Sequence, residues 1–363
     1  MVEFDHSGRV QRLQGLMGEI GVGAALLSVG PDLPYFIGYE SRPSERLTML
    51  VVPVVGEPIL LVPRLEAPLV SAGDFEVLVW DETDSAVELV AKAASGADKI
   101  LIGDHTWSVF LIGLQRELAG SSWAPASTVT RHMRSRKDAA EIESLRSAAH
   151  AVDRVLDRVP GEVAFAGRTE SEIAGDLRRM TVEEGHEVAE FAIVASGPNG
   201  ASPHHDPGGR VVAVGDLVIC DFGGRLDAYY SDVTRTFSVG TPTDEQIEVH
   251  QVVLAANQAG RDAVATGVRC EEVDRAARKV VVEAGYGEAF IHRTGHGIGL
   301  EVHEHPYLVE GNDALLETGM AFSIEPGIYL PGRLGVRIED IAVCASEGID
   351  VLNRADRGLV VVS

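Results

Sequence analysis

Paired acids are the first groups in this chain whose spacing invites chemistry. Asp221 and Asp232 flank a turn rich in Gly and Asp within DFGGRLDAYYSDVTRTF. Asp221 ends an apolar strand and Asp232 begins the next, so a hairpin sets them side by side although they are eleven residues apart. Two carboxylates that close repel each other unless a proton, a salt bridge or a metal intervenes. A turn or cap role for either acid fits the same spacing.

A second group lies in RTGHGIGLEVHEHP, where His296 and His303 sit among glycines, with His292 just upstream. Glycine on both sides of a histidine permits close backbone approach, which a site needs and a packed helix does not. Single histidines are usually ordinary loop residues. Here, however, four of the chain's 12 histidines fall between positions 292 and 305. FSIEPGIY places Glu325 at a strand end, and GVRIEDIAV places Glu339 inside an apolar strand. A carboxylate there is costly unless paired or ligated. On a strand of period two, Arg337 shares its face, so an Arg337–Glu339 ion pair is the plain alternative. Taken together, two Asp, one His and two Glu make a carboxylate-rich site for two divalent ions. Hard oxygen donors favour manganese or a similar ion over a thiolate zinc site.

The elements that must hold these groups follow from periodicity. Asp138 with Glu141, Thr169 with Glu172, and Thr243 with Gln246 are capping boxes that open helices. A further helix spans Glu271–Ala284. Strands are predicted at Phe191–Ala195, Leu217–Phe222, Asp232–Val239, Ala321–Ile324 and Val336–Val343. Two helices then strands, twice over, predicts two similar halves sharing a sheet. Upstream, an amphipathic helix and short apolar strands (Ala24–Ser28, Met49–Val55, Ile59–Val62, Glu76–Trp80, Ile100–Gly103) predict a small α/β domain without a catalytic cluster.

Composition excludes other classes. Lys and Arg total 31 against 55 Asp and Glu, a formal charge of −24. Such a surface repels nucleic acid and anionic membranes. The three cysteines, in separate apolar runs, form no disulfide framework. MVEFDHSGRV lacks the basic start and apolar run of a signal peptide, and no apolar stretch is long enough to span a bilayer. A cytoplasmic protein is expected.

These motifs resemble those of the creatinase/aminopeptidase-like, or pita-bread, metallopeptidases, in particular Xaa-Pro dipeptidases (prolidases) and Xaa-Pro aminopeptidases. The likeness is general over the N-terminal part and runs motif by motif from residue 134 to 345. It implies an α+β chain, with an N-terminal creatinase-like domain over residues 1–130 and a pita-bread catalytic domain over 131–363. It also implies two divalent ions, manganese first, with cobalt or zinc as alternatives. Asp221 then chelates one metal, Asp232 and Glu339 bridge, and His296 and Glu325 hold the second. SGPNGASPHHDPGGR supplies His204 as a further active-site histidine, with His205 beside it as a rival for the inward position. His303 resembles the second such histidine, and His292 the one at the rim of the proline pocket. Arg337 resembles the arginine that supports a metal carboxylate, and it counts with His292 on the substrate side. Ala228 and Tyr230 depart from the family, which usually has glycine and a smaller residue there.

The activity implied is hydrolysis of the peptide bond before proline, with Glu325 as proton shuttle and His204 and His303 stabilising the oxyanion. That bond has no N–H for a general peptidase to hold. The partner is a small peptide with proline after the scissile bond, and the assembly is a homodimer. An aminopeptidase for longer peptides is the nearest rival. A metal-free amidinohydrolase and a non-enzymatic binding protein are the others, but such relatives have usually lost ligands that this chain keeps.

Overall fold

The structure, a computed structural model, describes residues 4–363. The chain divides into two compact units, one ending at Arg134 and the other covering Ser135–Ser363. The boundary expected at residue 130 lies inside the helix Ser127–Ser135.

The N-terminal unit is built on a six-stranded mixed sheet. Its order is Glu76–Trp80, Ile59–Pro63, Met49–Pro53, Ala24–Ser28, Lys99–Ile102 and Ser122–Pro125. Ala24–Ser28 pairs antiparallel with Met49–Pro53 and parallel with Lys99–Ile102. Leu26, Met49, Val51 and Ile100 are buried in its core, and the helix His6–Glu19 is capped by Asp5. No group of three or more His, Cys, Asp or Glu placed to hold a metal lies among its described residues.

The second unit carries the predicted repeat. The helices Ala139–Glu162, Glu170–Glu183 and Asp244–Asp262 open with the three capping boxes, both reciprocal hydrogen bonds being present in each. Cys270–Glu283 follows as the fourth helix. The first half contributes a sheet ordered Val233–Val239, Leu217–Leu226 and Val188–Ser196, with Tyr229–Tyr230 added to Leu217–Leu226 and the C-terminal strand Val360–Val362 added beside Val233–Val239. The second contributes Glu304–Leu308, Gly295–Gly297, Ala321–Ile324, Asp340–Cys344 and Ile349–Val351.

Three expectations are corrected here. The halves do not share one sheet; their two sheets are linked by an isolated backbone bridge between Thr234 and Glu339. Val336–Val343 is not one strand, because Arg337 pairs with Gly327 in one ladder and Asp340 with Ile324 in another, leaving Glu339 at the crossing. Asp221 does not end its strand, which continues to Leu226. Continuation is possible because Gly223 lets the chain at Ser231 pass against it, where a Cβ would lie 2.0 Å from the Ser231 carbonyl oxygen.

Leu226 and Tyr229 pair across a turn whose residues Asp227 and Ala228 have φ of 49° and 67°. Two positive φ values mark the turn type that favours glycine in tight hairpins. Alanine resists this region by about 1–2 kcal/mol, against which glycine's chain entropy costs about 0.5–1 kcal/mol. Ala228→Gly should therefore raise the unfolding free energy by about 0.5–1 kcal/mol in urea titration. A loss of stability would contradict the strained turn.

Candidate metal centre

The two-sheet crossing gathers the predicted acids. Asp221 lies opposite Thr234 in the ladder, and Asp232 directly precedes the strand Val233–Val239. Glu325 follows Ala321–Ile324, its N–H donating to the Thr294 carbonyl at 2.8 Å. Glu339 is held twice by Thr234: its N–H donates to the Thr234 carbonyl at 3.1 Å, and the Thr234 hydroxyl donates to Oε2 at 2.7 Å. His296 sits in Gly295–Gly297, where a Cβ on either glycine would lie 1.9 or 2.2 Å from a neighbouring carbonyl oxygen. Only glycine permits this approach. His296 Nδ1 lies 3.1 Å from the Gly297 carbonyl. A carbonyl can only accept, so Nδ1 carries the proton and Nε2 presents its lone pair.

That lone pair faces carboxylates. His296 Nε2 lies 3.4 Å from Glu325 Oε1, 3.7 Å from Asp232 Oδ2 and 4.0 Å from Glu339 Oε1. These are not ion pairs, because burial, and then His303, push His296 down to about 3 and keep its ring neutral. Burial and the neighbouring acids push Asp232 and Glu339 well above the ordinary carboxylate range. Burial raises Glu325 to about 7, against the pull of Arg337. The acids thus cannot all ionise with two arginines, Arg337 and Arg293, and a neutral imidazole against them.

The set also lacks donors. Asp221 Oδ1, Asp232 Oδ1 and Glu339 Oε1 are buried without a hydrogen-bond partner. Ligand atoms of Asp232, His296 and Glu339 all lie within 4.8 Å of one another. Orphaned carboxylate oxygens converging beside an imidazole lone pair fit a hard divalent cation, whose charge would offset their repulsion.

These acids floor a cavity of about 610 Å³ whose walls include His204, His292, Arg293 and His303. His205 instead turns away, its Nε2 lying 2.8 Å from Glu170. The His303 ring meets His296 edge to face at 4.2 Å.

The comparisons with known proteins agree with this geometry. Residues 143–346 match metallopeptidase family M24, and residues 9–136 match the creatinase/prolidase N-terminal domain. The chain belongs to metallopeptidase family M24. It is 43% identical over 351 residues to the probable dipeptidase PepE of Mycobacterium tuberculosis, covering 95% of this chain and 93% of that protein. It is 35% identical to the Xaa-Pro dipeptidase of Lactobacillus helveticus, covering 97% and 98% of the two chains. The crystal structure of the Thermococcus sibiricus prolidase superposes with a TM-score of 0.95 at 37% identity, covering 99% of this chain and 100% of that one. The chain is a metallopeptidase of pita-bread fold, and membership of M24 implies a divalent metal at this centre.

Arg337 does not pair with Glu339 as its strand position suggests. The split of the strand turns its guanidinium to Asp221, with Nη2 2.5 Å from Oδ2, and Nη1 donates to the Tyr329 hydroxyl at 2.8 Å. Its guanidinium is thus spent on protein groups. Tyr329 was not among the expected residues. Since it accepts from Arg337, its own proton goes to His292 Nε2 at 2.8 Å, and His292 Nδ1 donates to the Arg293 carbonyl at 2.7 Å. Burial pushes Tyr329 up to about 12 and His292 down to about 3, so neither changes protonation near neutrality.

Asn257 was also missed. It is fully buried on Asp244–Asp262, and its Nδ2 lies 2.9 Å from the Ile324 carbonyl and 3.3 Å from that of Ile338. Those carbonyls immediately precede Glu325 and Glu339, so one amide ties two candidate ligands together. Nothing in a helical pattern distinguishes it from any other buried Asn. Asn257→Ala should cost about 1–3 kcal/mol, since it leaves buried carbonyls unpaired. Less divalent metal should also be retained after gel filtration, read by elemental analysis. A variant with wild-type stability and full metal would show that this tie is idle.

Proposed function

We propose that this metallopeptidase hydrolyses the peptide bond preceding proline, foremost in Xaa-Pro dipeptides, at a two-metal centre. The reading rests above all on the carboxylates of Asp232 and Glu339 converging with His296, each with a donorless oxygen, while Asp221, with a third, lines the same histidine-walled cavity. Asp221 would chelate one ion, Asp232 and Glu339 would bridge, and His296 and Glu325 would complete the second. Manganese suits a set of four carboxylates and one imidazole best. Bound cations of this kind lower the pKa of a coordinated water from about 15.7 toward neutrality.

The protein groups do the rest. Glu325 accepts the proton of the attacking water and passes it to the proline nitrogen, a role open to a carboxylate in a buried site. His303 and His204 donate to the scissile carbonyl oxygen as it gains charge. His292, held in one tautomer by Tyr329 and Arg293, lines the wall on the proline side. Phe191, Ile193 and Val302 give the cavity an apolar face for the side chain before proline. Arg337 has its guanidinium taken, so Arg293 is the cation left on the cavity wall to meet a dipeptide's carboxylate. This favours the dipeptide over the longer substrates of an aminopeptidase. With manganese added, an Xaa-Pro dipeptide should be cleaved faster than an Xaa-Pro-Xaa tripeptide, and chelator should abolish both activities. Faster cleavage of the tripeptide would assign the aminopeptidase activity instead.

Single substitutions separate the roles. Glu325→Gln keeps size but removes the proton acceptor, so turnover should fall to near background. His303→Ala should retain metal and lose roughly 10²–10³ in turnover, the scale of one oxyanion donor. His150, on Ala139–Glu162 and outside the cavity, serves as control, and its replacement by Ala should leave turnover unchanged. Wild-type turnover in Glu325→Gln with metal bound would sink the proton shuttle.

A further inference from the structure

The loop that carries His204 is tied down by a single carboxylate. Glu170 is the first residue of Glu170–Glu183 and is fully buried. Its Oε1 accepts from the Ser196 N–H at 2.8 Å, the Ser196 hydroxyl at 2.7 Å and Asn199 Nδ2 at 3.1 Å. Its Oε2 lies 2.8 Å from His205 Nε2, 3.2 Å from Asn199 Nδ2 and 3.4 Å from the Gly208 N–H. One side chain therefore grips residues 196, 199, 205 and 208, at the end of Val188–Ser196 and along the connection to Leu217–Leu226. His204 lies within this grip and lines the metal cavity, while its neighbour His205 is held by Glu170.

A buried carboxylate persists only when hydrogen bonds replace its lost water. Here no lysine or arginine bonds it among the described residues. Burial would raise its pKa, but the donors Ser196, His205 and Asn199 outweigh that and hold it below the ordinary range. Such an arrangement fixes the donors' positions, because each loses its charged acceptor if the loop shifts. The loop is pinned from its other side as well. A Cβ on Gly335 would lie 1.8 Å from the Gly200 carbonyl oxygen, so the strand Leu334–Arg337 closes directly on it.

We propose that Glu170 is a positioning residue that sets His204 over the metal centre through His205 and Asn199. The proposal rests on the role given above to His204. The test is a double-mutant cycle on the metal-loaded enzyme with an Xaa-Pro dipeptide. Glu170→Ala should lower turnover by roughly 10–100-fold, as loss of a group that orients an active-site side chain does, with bound metal unchanged. In a His204→Ala background the same change should cost less than about twofold, because its effect passes through His204. Equal losses in both backgrounds, or loss of metal, would overturn the positioning role.

Failure of the underlying reading is separable from failure of the proposal. If His204→Ala keeps wild-type turnover, the role of His204 falls and this proposal with it. If His204→Ala is impaired and Glu170→Ala is not, only the positioning role falls. Should Glu170→Ala not fold, His205→Ala removes one partly exposed donor and enters the same cycle. His205→Gln keeps an N–H donor and should recover most of the turnover lost in His205→Ala. Failure to recover it would overturn the path through His205.

Discussion

Crowding of buried carboxylates is the constraint on which this molecule turns. Asp221, Asp232, Glu325 and Glu339 share one region of the interior, three of them with an oxygen that no donor reaches. Taken alone, that arrangement opposes folding, since desolvation and mutual repulsion both penalise the charged forms. A salt bridge from Arg337 relieves Asp221, and for the others protons or a metal cation remain; family membership selects the metal. The surrounding structure can be read as what keeps four acids in place for a divalent metal. Thr234 holds Glu339 by main chain and side chain, Arg337 holds Asp221, and Asn257 joins the segments that carry Glu325 and Glu339.

The crossing of two sheets explains why these acids meet at all. Within one continuous strand, Arg337 and Glu339 would project from the same face and neutralise each other. The chain instead leaves one ladder after Arg337 and joins another at Asp340. Glu339 is thereby released from its near neighbour and delivered to Asp232 and His296. Glycine serves the same end on the opposite side, where Gly295 and Gly297 let the His296 backbone slot between Ser323 and His305.

Much of this was legible in the sequence, and the limits have physical causes. Three capping boxes marked helix starts because the pattern and the hydrogen bonds are local. The ligand candidates stood out because acids and glycine-flanked histidines in apolar strands are costly without a use. Ala228 stands where the family usually has glycine, and its positive φ shows why glycine suits the position. The split of Val336–Val343 was hidden, since an apolar run reads alike whether it joins one ladder or two. Asn257, Tyr329 and Glu170 were hidden for a related reason. Each acts through at least one partner tens of residues away, and a polar residue in a list looks the same whether it faces solvent or anchors a site. His204 and His205 were indistinguishable as neighbours until the position of Glu170 was known.

Arg337 was expected both to support a metal carboxylate and to stand on the substrate side, and its hydrogen bonds reconcile the two. Guanidinium only donates, so its contact with Tyr329 dictates the direction of every bond that follows. Tyr329 must give its proton to His292, and His292 must give its own to the Arg293 carbonyl. The fork that holds Asp221 in the candidate metal centre therefore also fixes which nitrogen of His292 carries its proton. Lysine could supply the charge at this position but not two divergent donors in one plane. Asp221 in the candidate metal centre and His292 on the cavity wall are thus oriented by one side chain, and neither can be reshaped without disturbing the other.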